Sequence, residues 1–306
     1  MLARMTLAGL AAVFALAAPV GPLTAVPPPP APIFGGEQTA PGAWPAVVAI
    51  SIGSSLCTGT FVSPTIVLTA AHCLEHNPDL SSMSVRRGDD INFPVPTLKV
   101  AAFGFDPQFC GEESCKEDIH DYGFVVVSSP QKDILEFPRP VADQHEWDQI
   151  MAVQSTITLV GYGLNEGDIT GIKRQVEVPI TKFSASGLEF QAGGDGLDSC
   201  QGDSGGPAFA KLDSGEWVLA GVTSRGYTCG KGGFYAVPQG GLCWLKGASG
   251  LDLRPPDCEN CDCINTDPNR EQGCGCTSGN SNGPLALLLP LAFLALRRRR
   301  PAPRAS

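Results

Sequence analysis

Residues 198–207 read DSCQGDSGGP. Three glycines and a proline around one serine exclude a regular helix or strand, because glycine admits dihedrals that other residues avoid. The stretch is therefore a shaped turn. A hydroxyl held on such a turn sits beside free backbone N–H groups, and those donors can stabilise the oxyanion formed when the serine attacks a carbonyl. Ser204 is the candidate nucleophile. The competing reading is a Gly/Ser-rich surface loop, since short motifs match by accident, so the rest of the chain has to decide between them.

Around this turn the chain is a series of short apolar runs. Residues 46–52, 60–68, 98–103, 124–127, 155–160, 175–180, 207–210 and 217–222 are rich in Val, Ile and Thr and are separated by Gly, Ser and Pro. Such runs read as strands, and no long amphipathic helix interrupts them. An all-β barrel or sandwich is expected.

Two further residue types complete a possible relay. TAAHC, residues 69–73, directly follows one of the expected strands, and three small residues before His72 leave its ring room to face a cleft. A lone histidine is more often structural or solvated. In DIHDYGFVVVSSP, Asp121 stands just before an apolar run, where a buried carboxylate needs a hydrogen-bonding partner; Asp118, three residues earlier, is its rival. Serine, histidine and buried aspartate together allow His to take the Ser proton while Asp fixes the His tautomer.

Both ends of the 306-residue chain read as processing segments. Residues 1–18 carry Arg4 and then an apolar run ending in small residues, the pattern of a secretory signal peptide. Residues 19–32 are proline-rich and uncharged, a linker or pro-segment that cannot pack a core. About two hundred residues remain for the folded part, ample for a core. Twelve cysteines in an exported chain point to disulfides and an oxidising destination. The net charge is −10, and Arg4, Arg297 to Arg300 and Arg304 lie in terminal segments without acids, so the remainder is more acidic still. That charge argues against nucleic acid as a partner.

Taken together, IFGG (33–36), TAAHC (69–73), DYGFVVVSSP (from Asp121), GYG (161–163), RQVEVPI (174–180), DSCQGDSGGP and GVTSRG (221–226) occur in the order of the trypsin-like, chymotrypsin-fold serine proteases, which the chain resembles over residues 33–247. The resemblance implies two six-stranded antiparallel barrels with the active site between them. It selects Asp121 over Asp118, makes His72 the general base, Asp121 its orienting partner and Ser204 the nucleophile, and assigns the N–H groups of Gly202 and Ser204 to the oxyanion hole. It further implies that Ser224 hydrogen-bonds Asp121, and that Asp198 and Ser199 lie at the base of a specificity pocket walled by Gly226 and Gly233, which suits Arg or Lys before the scissile bond. Disulfides Cys57–Cys73 and Cys200–Cys229 also follow from it, each constraining a catalytic loop. Cys110 and Cys115 are close enough to pin a local loop, a pair the family does not require.

Two positions depart from the pattern. Pro32 precedes Ile33, where the family has a basic residue whose cleavage frees an amine to pair with the aspartate before the serine, here Asp203. Arg225 stands where the family has an aromatic residue lining the substrate groove, so a cation is expected beside that groove.

After Trp244 the composition shifts. A Cys-rich stretch, expected as a linker over 251–276, leads to a tail at 277–306 with a short apolar run containing Pro290 and an Arg cluster. That run is shorter than the roughly 20 residues of an ordinary span. A Cys site, polar spacer, apolar segment and Arg cluster have the layout of a cleaved sorting signal. The tail resembles the myxobacterial C-terminal sorting tail (MYXO-CTERM), with Cys274 or Cys276 as the processed residue. Cys243, Cys258, Cys261 and Cys263 could form two bridges of undetermined pairing or, as a C-x-x-C-x-C set, a metal site; disulfides are the expectation and no metal or cofactor is assigned.

The expected protein is an exported serine endopeptidase held at the cell surface or outer membrane by its tail or a lipid anchor, acting on protein or peptide substrates as a monomer. The alternative is a non-catalytic binding or adhesion module on a protease fold, since fold does not guarantee activity.

Overall fold

Short β1 (Glu37–Gln38) precedes six strands: β2 (Val47–Ile52), β3 (Ser55–Phe61), β4 (Ile66–Thr69), β5 (Met83–Arg86), β6 (Thr97–Phe105) and β7 (Gly123–Val127). In the computed structural model these close into an antiparallel barrel in the order β2-β3-β4-β7-β6-β5. After helix α1 (Gln144–Ile150) come β8 (Thr156–Gly161), β9 (Arg174–Phe183), β10 (Glu189–Ala192), β11 (Pro207–Lys211), β12 (Trp217–Gly226) and β13 (Gly233–Ala236). They form a second barrel closed by the β8–β9 ladder, with β1 added alongside β9. Helix α2 (Leu242–Ser249) follows and stops at Gly250, whose φ of +77° ends the helix. The described residues are 33–111 and 114–270. The expected signal peptide, the proline-rich segment and the tail with Cys274 and Cys276 lie outside them.

Strand alternation explains how the barrels pack. In β2, Val48 and Ile50 point into the first barrel while Val47 and Ala49 face the other way. β7 repeats this, with Val125 and Val127 inward and Phe124 outward, and so does β8, with Ile157 and Leu159 inside the second barrel and Val160 outside. Neighbouring side chains leave a strand on opposite faces. The outward set, Val47, Ala49, Leu68, Phe124, Val160, Tyr162, Phe209, Leu219 and Val222, forms a third buried cluster where the two barrels meet. Each fully buried side chain of this size contributes about 1.5–3 kcal/mol. A site built across the seam therefore rests on a continuous buried interface between the two barrels.

The sequence reading and the structure differ in three places. The run 60–68 is two strands, because Ser63 Oγ accepts the Ile66 N–H at 3.0 Å and turns the chain. The short strands β1, β5, β10 and β13 lie outside the apolar runs, and their pairing partners define them. The Cys-rich segment, read as a linker, is packed on the domain as far as it is described: Cys243–Cys261 and Cys258–Cys263 bridges staple it, and Ile264 enters the core of the second barrel at 6% exposure.

Candidate active site

The turn at 198–207 is fixed by its backbone. Gly202 and Gly205 have φ of +97° and +80°, and a Cβ on Gly205 would lie 2.0 Å from Thr69 Oγ1, so only glycine fits there. The Gly205 N–H donates to the Thr223 carbonyl at 2.7 Å, and the Ser204 carbonyl accepts from the first barrel's Thr58 N–H at 2.8 Å. Among the described residues, the N–H groups of Gly202 and Ser204 donate to no protein acceptor. Half-buried Ser204 thus stands beside two free donors.

His72 arrives from the first barrel, in the one-turn 3₁₀ helix Ala71–Cys73 that follows β4. Its Nδ1 lies 2.8 Å from Asp121 Oδ2, and its backbone N–H donates to Asp121 Oδ1 at 2.9 Å. Ser224 at the end of β12 donates its hydroxyl to Asp121 Oδ2 at 2.6 Å. Asp121 is 1% exposed and holds three donors, which accounts for a carboxylate at that depth. Cys73 Sγ, bonded to Cys57, lies 3.9 Å from His72 Nε2 and 3.8 Å from the Ser204 carbonyl oxygen, so the disulfide brings histidine and serine loops together. Burial works against a charged His72 ring, but the hydrogen bond and charge of Asp121, with Glu75 beyond, outweigh it and raise the imidazole pKa above 6.5. Asp118, the rival, does not reach His72: its carboxylate accepts from Ser184 Oγ at 2.7 Å and Ser186 Oγ at 2.6 Å.

Beside Ser204 opens a cavity of about 160 Å³ lined by Ser199, Ser224, Arg225, Gly226 and Cys229. Gly226 pairs with Gly233 across the β12–β13 ladder, and Cys200–Cys229 bridges its rim. Behind Ser199, Asp198 is 1% exposed, and its carboxylate accepts from the N–H groups of Ser199 at 2.7 Å and Gly232 at 2.8 Å. Burial raises its pKa against these donors, and among the described residues no cation pairs with it. A larger cavity, about 880 Å³ between Trp44 and Trp217, contains none of these groups; chemistry rather than size locates the site.

Asp203 is buried beneath the turn. Its carboxylate accepts from Gly163 N–H at 2.7 Å and Cys200 N–H at 2.9 Å, yet burial still pushes its pKa up to about 7. The segment after Ile33 runs beside Asp198, whose N–H donates to the Phe34 carbonyl at 2.9 Å, and the Ile33 side chain is 1% exposed in the second barrel's core.

Arg225, the cation expected beside the groove, lines the cavity and is itself paired. Its guanidinium forks onto the Glu189 carboxylate at 2.7 and 2.8 Å, donates to the Lys116 carbonyl at 3.0 Å and lies 4.3 Å over the Phe234 ring. The cation expected beside the groove is met by a 4%-exposed acid. Glu189, Ser184 and Ser186 carry no motif, and their partners lie far away in sequence, so nothing local announced them. The third bridge, Cys110–Cys115, closes the loop before Asp121.

Two barrels, with the His72–Asp121 pair delivered by the first and the Ser204 turn of the second reached through the Cys57–Cys73 disulfide, have the layout of a serine-hydrolase class of fold. Comparison with known proteins agrees: the trypsin family profile matches residues 33–240. Mouse ovochymase-2 is 31% identical over 221 residues, 65% of this chain and 36% of that protein. Pig coagulation factor XII is 29% identical, covering 70% and 39%, and a trypsin-like protease of Streptomyces glaucescens is 29% identical, covering 67% and 76%. The chain thus spans less than half of the two mammalian relatives and three quarters of the bacterial one. It belongs to the trypsin family.

Proposed function

We propose that the protein is a serine endopeptidase that cleaves peptide bonds through an acyl-enzyme, after Arg or Lys. The observation that carries the reading is Asp121, whose carboxylate holds His72 by both ring and backbone on the seam where Ser204 stands beside two unoccupied N–H donors. With Nδ1 held by Asp121, His72 presents Nε2 as base. Ser204 Oγ attacks the substrate carbonyl carbon and its proton passes to Nε2. The carbonyl oxygen, now anionic, accepts from Gly202 and Ser204 N–H. As the C–N bond breaks, the imidazolium gives its proton to the leaving amine. Water then repeats the sequence on the ester, restoring Ser204 and releasing the acid. The 160 Å³ cavity receives the preceding side chain, and Asp198, buried behind the lining residue Ser199, supports a basic residue there, because a buried carboxylate without a cation gains most from one.

Export, and anchoring at the cell surface through the tail, belong to the same proposal and rest on the sequence alone. Full-length protein treated with a serine-directed phosphonate should be labelled at Ser204 to one equivalent, with loss of hydrolysis. Binding of protein ligands without labelling would replace the enzyme by a binding module.

A further inference from the structure

The chain reaches Asp121 through two residues in the left-handed region, Asp118 at φ +52° and His120 at φ +53°. Side chains other than glycine rarely adopt it, and such residues persist only where their surroundings hold them. The surroundings of Asp118 belong to the second barrel. Ser184 and Ser186, in the turn between β9 and β10, donate to its two carboxylate oxygens at 2.7 and 2.6 Å. Glu189 accepts the next N–H, from Ile119, at 3.3 Å. That turn is itself held from outside. Thr266 donates its hydroxyl to the Ser186 carbonyl at 2.7 Å, and Gly187, at φ +74°, lies so close that a Cβ there would meet the Thr266 carbonyl oxygen at 1.7 Å.

Thr266 is not a loose contact. It belongs to the Cys-rich segment stapled by Cys243–Cys261 and Cys258–Cys263. Two residues before it, Ile264 is buried in the core, and Asn265 exchanges two hydrogen bonds with Gln144 of α1, at 2.8 and 3.3 Å. A continuous line of direct contacts therefore runs from this segment through Ser186 and Asp118 to the backbone that delivers Asp121.

We infer that the Cys-rich segment after α2 is a brace for the catalytic carboxylate, with Thr266, Ser186 and Asp118 as positioning residues that act through Asp121 on His72. The inference rests on the protease reading of the site. If the brace slackens, Asp121 is held less well against Nδ1, so the imidazolium is less stabilised and the His72 pKa falls.

The test uses full-length Thr266→Val, Thr266→Ser, Ser186→Ala and Asp118→Asn, reading steady-state kinetics and the NMR titration of His72. Thr266→Val, Ser186→Ala and Asp118→Asn should each lower kcat about three- to tenfold with KM nearly unchanged. The His72 titration and the acid limb of kcat/KM should move to lower pH. Thr266→Ser, which keeps the hydroxyl, should behave as wild type, and adding Thr266→Val to Asp118→Asn should cost nothing more. Lower melting temperatures with an unmoved His72 titration and unchanged kcat would make these contacts merely structural and overturn the inference. Because the titration needs no turnover, a shifted His72 in a protein that hydrolyses nothing would sink the protease reading and leave the brace standing.

Discussion

His72 and Asp121 are joined twice through one carboxylate, ring Nδ1 to Oδ2 at 2.8 Å and backbone N–H to Oδ1 at 2.9 Å. The double attachment sets ring position and tautomer together, so the group acts as a unit. Ser204→Ala or His72→Ala should each remove activity by roughly 10⁴-fold or more without unfolding the protein. Asp121→Asn should be nearly as severe, because an amide nitrogen there cannot accept the Nδ1 proton, while Asp118→Asn should cost far less. Loss of hydrolysis in Asp118→Asn with Asp121→Asn spared would reassign the third member. The raised imidazole pKa puts the acid limb of kcat/KM above 6.5. A pKa raised by folding stabilises the native state fully below 6.5, and that contribution is lost as pH climbs through the native value.

Asp203 predicts how processing should be felt. In the chain continuous with Pro32 its carboxyl has a pKa of about 7 against an ordinary 3.8, since burial outweighs two N–H donors. A carboxyl pKa raised by folding makes stability fall as pH rises from about 4 to about 7. An ammonium freed at Ile33 would reverse this by pairing with the carboxylate. Urea unfolding of the uncut protein should therefore weaken across that window, and protein beginning at Ile33 should not. Active enzyme whose N-terminus lies well upstream of Ile33 would rule out the ion pair as the activating step.

Asp198 predicts specificity. A cation entering the cavity would offset the burial that now raises the Asp198 pKa, so peptides with Arg or Lys before the cut should be strongly preferred. Asp198→Ser should lose that preference by roughly 10²-fold or more in kcat/KM, on the scale of about 3 kcal/mol for a buried charge-assisted contact. A peptide library cut equally well after Phe or Leu would refute the assignment.

Cys274 and Cys276 predict the fate of the tail. Replacing both with serine should leave the protein uncleaved or released to the medium, read by cell fractionation and intact mass. An unchanged mass and distribution in that double variant would remove the sorting proposal.

The sequence by itself determined the all-β class, because Val, Ile and Thr runs broken by Gly, Ser and Pro carry their signal locally. The ordered motifs likewise singled out His72, Asp121 and Ser204 as the candidate site. Tertiary structure alone decided what each partner does. The fold alone sets Glu189, 36 residues away, against the Arg225 cation expected beside the groove, and turns the Asp118 carboxylate, the rival to Asp121, onto Ser184 and Ser186. The segment read as a linker became a packed element because Ile264 found a place in the second barrel's core. Each of these depends on which surfaces the closed barrels bring together, and contacts between residues far apart in the chain leave no periodic trace in the sequence around either one.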